Sequence, residues 1–212
     1  MRDTQHSLLR GLYLITPDVS DLGALQAAVS PVLGAASVVQ LRCKSESADI
    51  RLAQAQWLRA ASAECGVMLV VNDDVALART VGADGVHLGR EDGGIETARA
   101  VLGANAIIGA SCYADFERAL QAWDAGATYV AFGAVFPSPT KPNAARASLS
   151  LFGQARAEGM LSVAIGGITP ETIGSVVEAG ADMAAVISGI YEADDPVHAA
   201  AMCAAAFHPS EK

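Results

Sequence analysis

Positive charge is scarce in these 212 residues: 14 lysines and arginines stand against 23 aspartates and glutamates, a formal net charge of −9. That balance argues against a nucleic-acid partner, which selects basic surfaces. A local cation cluster can still outweigh the global field for a small anion. Long apolar runs are absent, none reaching the length that crosses a bilayer, so no membrane partner is expected. The leading residues, Met1 to His6, run towards a strand without the apolar core of a signal peptide, and a soluble cytoplasmic protein is the expectation. The four cysteines, Cys43, Cys65, Cys112 and Cys203, form no C-x-x-C pair, the pattern of free thiols in a reducing compartment. No G-x-G-x-x-G turn follows the first strand, which counts against a dinucleotide-binding open sheet. Charged residues are 17% against 52% hydrophobic, which makes the chain globular rather than disordered.

What is present is a repeat of short apolar runs. They cover Leu12 to Ile15, Val38 to Leu41, Val67 to Val71, Gly85 to Leu88, Ile107 to Ala110, Tyr129 to Phe132, Ser162 to Ile165 and Met183 to Ile187. Between them lie Ala-, Leu-, Arg- and Glu-rich segments with helical periodicity. Ser47 or Asp49 can cap the helix carrying Ile50, Trp57 and Leu58, and Gly66 ends it. Thr169-Pro170 reads as a cap followed by proline at the first helical position. One phrase recurs between helix and strand: Gly82-Ala83-Asp84, Gly126-Ala127-Thr128 and Gly180-Ala181-Asp182. Nearly continuous apolar strands indicate a parallel sheet covered by helices. Eight strand–helix units in this length make a (β/α)8 TIM barrel, an α/β fold, with a doubly wound open sheet as the alternative. Residues 1–212 read as a single barrel domain with a core of about 11–207, closed by a last helix from about Pro196 to Phe207.

In such barrels chemistry sits at the carboxyl ends of the strands, and the unusual polar residues fall there. Gln40, Arg42 and Lys44 share one face at the end of the second strand, since alternate side chains point the same way. Two cations and an amide gathered there ask for an anionic partner. The third strand ends in Asn72-Asp73, and Arg90, Glu91 and Asp92 follow the fourth. Asp73 and Asp92 are each equally readable as helix caps; together, facing cations, they suit a Mg²⁺ held by carboxylates and substrate phosphates. His87 reads as a core histidine, and Ser111 is uninformative alone. The sixth strand leads to Ser138-Pro139-Thr140-Lys141, with 142–148 as a lid. Gly166-Gly167 and Ser188-Gly189 offer backbone amides where phosphate sites form after strands seven and eight. The inventory is two anion sites in one pocket: Arg42, Lys44, Lys141 and a metal suit a diphosphate, and amides with hydroxyls suit a monophosphate.

These motifs, in this order from about Leu12 to Ile190, resemble the thiamine-phosphate synthase family. They are Tyr13-Leu14-Ile15-Thr16, Gln40 to Lys44, Asn72-Asp73, Asp84 to Gly89 with Asp92, Phe136 to Lys141, Ala164 to Ile168, and Val186-Ile187-Ser188. The resemblance implies a transferase that joins an aminopyrimidine diphosphate to a thiazole phosphate and releases diphosphate, by a dissociative, carbocation-like substitution. It implies that Gln40, Leu41, Arg42, Cys43, Lys44, Asn72, Ser111 and Lys141 bind the pyrimidine diphosphate. Ser138, Pro139, Thr140, Gly167, Ile187 and Ser188 would bind the thiazole phosphate, and Asp73 and Asp92 the Mg²⁺. Arg42, Lys44, Lys141 and Ser111 would be the catalytic groups. A homodimer is compatible with the resemblance. The chain departs from the family pattern with Arg90 for glutamine, Ala134 for proline and Ser138 for threonine. A related barrel, the thiazole tautomerase, uses a histidine two residues after the serine of strand five, where this chain has Tyr113. A barrel that binds a phosphorylated metabolite without catalysis is the other class of reading.

Overall fold

A computed structural model describes residues 9–90, 94–137 and 146–208. Eight parallel strands close into a barrel in chain order: β1 (Gly11–Ile15), β2 (Val38–Leu41), β3 (Met68–Asn72), β4 (Gly85–Leu88), β5 (Ile107–Tyr113), β6 (Tyr129–Gly133), β7 (Ser162–Ile165) and β8 (Met183–Val186). The ring closes where Tyr13 of β1 pairs with Ala185 of β8. The helices are α1 (Leu22–Val29), α2 (Ala48–Cys65), α3 (Val75–Val81), α4 (Ile95–Leu102), α5 (Phe116–Asp124), α6 (Ser150–Ala157), α7 (Ile173–Glu178), α8 (Ser188–Tyr191) and α9 (Pro196–Ala205). No helix among the described residues is long and apolar enough to cross a membrane.

Side-chain alternation along each strand divides the core. Tyr13, Val38, Val70, Tyr129 and Val163 face the barrel interior. Leu12, Leu14, Val39, Leu41 and Leu69 face outward and pack against helix residues such as Leu25, Leu58 and Phe152. A fully buried leucine such as Leu58 contributes about 1.5–3 kcal/mol in this setting.

The repeated glycine joint has a structural purpose beyond stopping the helix. Gly82 ends α3 in the left-handed region at φ 64°, and Gly126 and Gly180 are also left-handed, at 95° and 99°. Two residues on, a side-chain oxygen accepts an N–H from the preceding strand. Asp84 Oδ2 takes Leu69 N at 2.7 Å, Thr128 Oγ1 takes Ile108 N at 3.0 Å, and Asp182 Oδ2 takes Ser162 N at 2.9 Å. Each joint therefore ties the amino end of one strand to the next and sets the register.

Several boundaries differ from the sequence reading. Ser47, not Asp49, caps α2 through Ile50 N. Thr169-Pro170 does not open a helix: residues 170–172 form a turn, and α7 begins at Ile173 behind Thr172. Thr169 donates to Glu171 Oε2 at 2.6 Å and its backbone N–H goes to Thr172 Oγ1 at 2.9 Å, so local side-chain bonds capture this stretch as a turn. β5 runs three residues past its expected end, because an irregular register between Ser111 and Tyr113 lets it continue along β6. That extension carries Ser111 to the rim.

Candidate active site

The site is assembled from the floor upward. Inside an otherwise apolar barrel, Tyr13 and Tyr129 are 1% and 0% exposed, and their hydroxyls lie 2.8 Å apart. Gln40 donates from Nε2 to the Tyr13 hydroxyl at 2.9 Å. His87 meets the Tyr129 hydroxyl through Nδ1 at 3.0 Å and Ser111 Oγ through Nε2 at 2.9 Å. Burial holds both tyrosines well above their ordinary pKa; they are neutral hydroxyls at any working pH. Gln40 and Ser111 are thus brought together through a chain of side chains from five strands. His87, read in the sequence as a core histidine, is buried as expected, yet it is the link that reaches Ser111.

Above this floor stand the cations. Arg42 is fixed at its backbone, where its N–H donates to Thr16 Oγ1 at 2.9 Å. Its guanidinium lies 3.9 Å from Asp18 Oδ2, and the Lys44 ammonium lies 3.6 Å from the same oxygen. Asp18 Oδ1 also accepts the Lys44 N–H at 3.1 Å. The anionic partner that the cation cluster demanded is therefore supplied in part by the chain itself, from the loop after β1. Lys44 keeps two thirds of its side chain exposed, so this pair is open to a further anion. Leu41, expected to touch substrate, turns its side chain into the layer under the helices, and Cys43 packs against that layer. A substrate contact from either residue would have to run through its backbone.

The carboxylate after β3 is resolved in favour of the mouth. Asp74, not Asp73, caps α3, accepting Leu77 N at 2.8 Å. Asp73 is exposed, has φ 62°, donates its backbone N–H to His87 O at 2.8 Å, and receives the side-chain amide of Asn72 on Oδ2. A non-glycine residue in the left-handed region next to a strand end is a common mark of a functional position. α4 begins behind Gly94 without a side-chain cap. Asp92, the second metal candidate, lies outside the described residues, as do Ser138, Pro139, Thr140 and Lys141 and most of the expected lid, 142–145. Among the described residues no group of three His, Cys, Asp or Glu could hold a metal by itself. Asp73 offers what Mg²⁺ prefers, an exposed hard oxygen donor.

On the opposite rim, three loop backbones pack against one another. A Cβ on Gly167, at φ 67°, would collide with the carbonyls of Phe136 and Pro137, and one on Gly189 would strike the Ile168 carbonyl. Phe136 N donates to Gly166 O at 3.0 Å, zipping the loop after β6 to that after β7. Ser188 opens α8 directly behind Ile187, whose carbonyl takes the N–H groups of Ile190 and Tyr191 at 3.0 Å each, leaving the amides of Ser188 and Gly189 without an intrahelical partner. Only glycine permits the loop backbones to pack this closely.

Arg90 stacks over the Tyr113 ring, 5.3 Å from its centre. Arg118 braces the same corner, donating from Nε to Ser111 O at 2.8 Å and from a guanidinium nitrogen to Gly89 O at 3.4 Å.

The family model for thiamine monophosphate synthase matches residues 12–190. The chain belongs to that family. A thiamine-phosphate synthase of Xanthomonas campestris is 55% identical over 190 residues, spanning 90% of this chain and 92% of the relative. One from Chromobacterium violaceum is 54% identical over 193 residues, covering 91% and 93%. Among solved structures, a thiamine phosphate pyrophosphorylase from Pyrococcus furiosus superposes with a TM-score of 0.83 at 31% identity, covering 96% of this chain and 98% of the other. A 3-hexulose-6-phosphate synthase superposes at 0.69 with 19% identity, which speaks for the barrel alone. Sequence reasoning missed Asp18, Arg118 and Tyr129, and it quoted Tyr13 and Thr16 only as part of the motif Tyr13-Leu14-Ile15-Thr16, without a role. The tyrosines carried a faint signal: aromatics are only 5% of the chain, and both sit at inward parity.

Proposed function

We propose that this chain couples an aminopyrimidine carrying a diphosphooxymethyl group to a thiazole phosphate, releasing diphosphate by dissociative substitution. Family membership makes it a transferase, a thiamine-phosphate synthase. The observation that carries the substrate reading is the cation pair Arg42 and Lys44, gathered at the barrel mouth directly above Gln40 and next to Asn72-Asp73.

The thiazole nitrogen already bears a lone pair, so no general base is needed to create the nucleophile. The demand falls on the leaving group. As the bond from the methylene carbon to the bridging oxygen breaks, its electron pair moves onto the diphosphate, and Arg42, Lys44 and Lys141 stabilise that charge. Ser111 and Gln40 hold the pyrimidine, with Asn72 beside them. Asp73 and Asp92 would hold Mg²⁺, which when bound supplies further positive charge to the diphosphate oxygens. The amides around Gly167, Ile187 and Ser188, with Ser138 to Thr140, anchor the thiazole phosphate so that its nitrogen faces the methylene carbon, which then closes the new carbon–nitrogen bond. The four free thiols support a cytoplasmic, reducing setting. A homodimer is part of the same reading, checked by sedimentation; Val197 and Met202, exposed apolar residues of α9, support it.

The test is incubation with both substrates and Mg²⁺, following diphosphate. Release that requires the thiazole phosphate is expected. Binding of either substrate with no release would mark a non-catalytic barrel.

A further inference from the structure

Among the described residues, one connected line of buried polar groups crosses the barrel interior, running from β2 through β1, β6 and β4 to β5. Its four links are Gln40 to Tyr13 at 2.9 Å, Tyr13 to Tyr129 at 2.8 Å, Tyr129 to His87 at 3.0 Å and His87 to Ser111 at 2.9 Å. The line is built into the fold rather than left over from packing. Gly109 has no side chain where the Tyr129 ring lies, and any Cβ there would collide with that ring. The His87 and Tyr129 rings stack at 17° with centres 5.7 Å apart, while Tyr13 meets Tyr129 edge-on at 5.9 Å.

Proton counting gives the line a direction. Each tyrosine hydroxyl carries one proton and faces two partners along the line, so it donates to one and accepts from the other. The Gln40 amide nitrogen has only protons to give. Tyr13 therefore accepts from Gln40 and donates to Tyr129. Tyr129 accepts from Tyr13 and donates to His87 Nδ1. With Nδ1 an acceptor, the ring proton of His87 is on Nε2, where it is donated to Ser111 Oγ. Ser111, having accepted, turns its own proton outward.

We propose that Tyr13 and Tyr129 are positioning residues that hold His87 in the Nε2–H tautomer, so that Ser111 is presented to the mouth as a hydrogen-bond donor. The ligand atom it meets is an acceptor: a ring nitrogen of the pyrimidine or an oxygen of its diphosphate. That last step rests on the substrate reading above, whereas the tautomer does not depend on it.

Two measurements separate these levels. In ¹⁵N-histidine NMR of the substrate-free protein, with the His87 signal assigned by its loss in His87→Gln, a proton on Nε2 and a bare Nδ1 are expected. Tyr129→Phe removes the donor to Nδ1, and the bare Nδ1 signal should move downfield, as an imine nitrogen that has lost its hydrogen bond. A wild-type His87 carrying its proton on Nδ1 overturns the proposal whatever the activity, and so does an unmoved Nδ1 signal in Tyr129→Phe. In steady-state kinetics, Tyr129→Phe should raise the KM for the pyrimidine diphosphate about tenfold, the loss of roughly one hydrogen bond, and leave the KM for thiazole phosphate unmoved. Tyr13→Phe, one link further away, should shift the same constant less. Equal change in both constants would mean that the tyrosines only support the fold, and the positioning role would fall. Should the protein show no coupling at all while the tautomer is as stated, the substrate reading fails and the tautomer stands.

Discussion

Asp18 and an incoming diphosphate compete for the same two cations. Asp18 lies 3.9 Å from Arg42 and 3.6 Å from Lys44, each pair partly exposed and so individually weak. Asp18→Asn should tighten inhibition by inorganic diphosphate by roughly two- to fivefold at low salt, since an exposed pair is worth about 0.2–1 kcal/mol. The gain should shrink as ionic strength rises. Weaker inhibition would show instead that Asp18 holds the cations in place for the ligand. Asp73 gives a second prediction at this scale. It is exposed and caps no helix, so Asp73→Ala should leave the thermal transition within a few degrees of the parent. Coupling in the presence of Mg²⁺ should nonetheless drop by at least about a hundredfold, a result that full activity in a chelator would contradict. Neither Asp18 nor the Asp73/Asp74 distinction was legible in the chain. Asp18 reaches Lys44 across 26 residues, and spacing along a sequence says nothing of such a contact. Asp73 and Asp74 are both acceptable cap residues, and only the helix start decides between them.

At the scale of elements, the recurring glycine joint explains why the barrel could be read from sequence at all. Each joint stops a helix, turns through a left-handed residue and places an acceptor beside the neighbouring strand, so local chemistry and register agree. Asp84 makes two such bonds, to Leu69 N and, at 2.8 Å, to Arg59. Asp84→Ala should therefore cost about 2–3 kcal/mol in urea unfolding, with the slope against denaturant unchanged. A loss below about 0.5 kcal/mol would mean that the register is set by the apolar strands alone. The phosphate rim allows a matched pair. Gly66 and Gly167 are both left-handed, at φ 69° and 67°, but a Cβ meets nothing at Gly66 and meets two carbonyls at Gly167. Gly66→Ala should cost about 1 kcal/mol and leave kinetics alone, while Gly167→Ala should raise the KM for thiazole phosphate. Equal kinetic effects would remove Gly167 from the site. The interior tyrosines were hidden because an inward strand position accepts an aromatic as readily as valine; the sequence shows the ring and not what its hydroxyl meets. The turn at Thr169-Pro170 misled for a related reason, since its side chains bond within the turn instead of to a helix.

Across the whole molecule, acidic groups are buried in their neutral form. Burial pushes the Cys112 thiol from its ordinary value near 9 up to about 12, and Cys203 up to about 11. Tyr13, Tyr129 and Tyr191 are raised for the same reason. An acid whose folded pKa is raised contributes stability that is present below its unfolded pKa and lost as pH climbs towards the folded one. Stability should accordingly be level up to about pH 9 and then fall, by up to about 1.4 kcal/mol per pH unit for each such group. Urea midpoints taken between neutral and alkaline pH would show this, and a midpoint unchanged well above pH 9 would refute it. The cations at the mouth stand apart from these groups: Arg42 and Lys44 stay open to solvent and to an anion. Arg42→Ala, followed in a single turnover with both substrates and Mg²⁺, isolates the step in which diphosphate leaves. A fall of about a hundredfold or more in that rate, with thiazole phosphate binding unaltered, is the expected result. An unchanged rate of diphosphate release would contradict the central claim that cations at this end of the barrel draw the leaving group away.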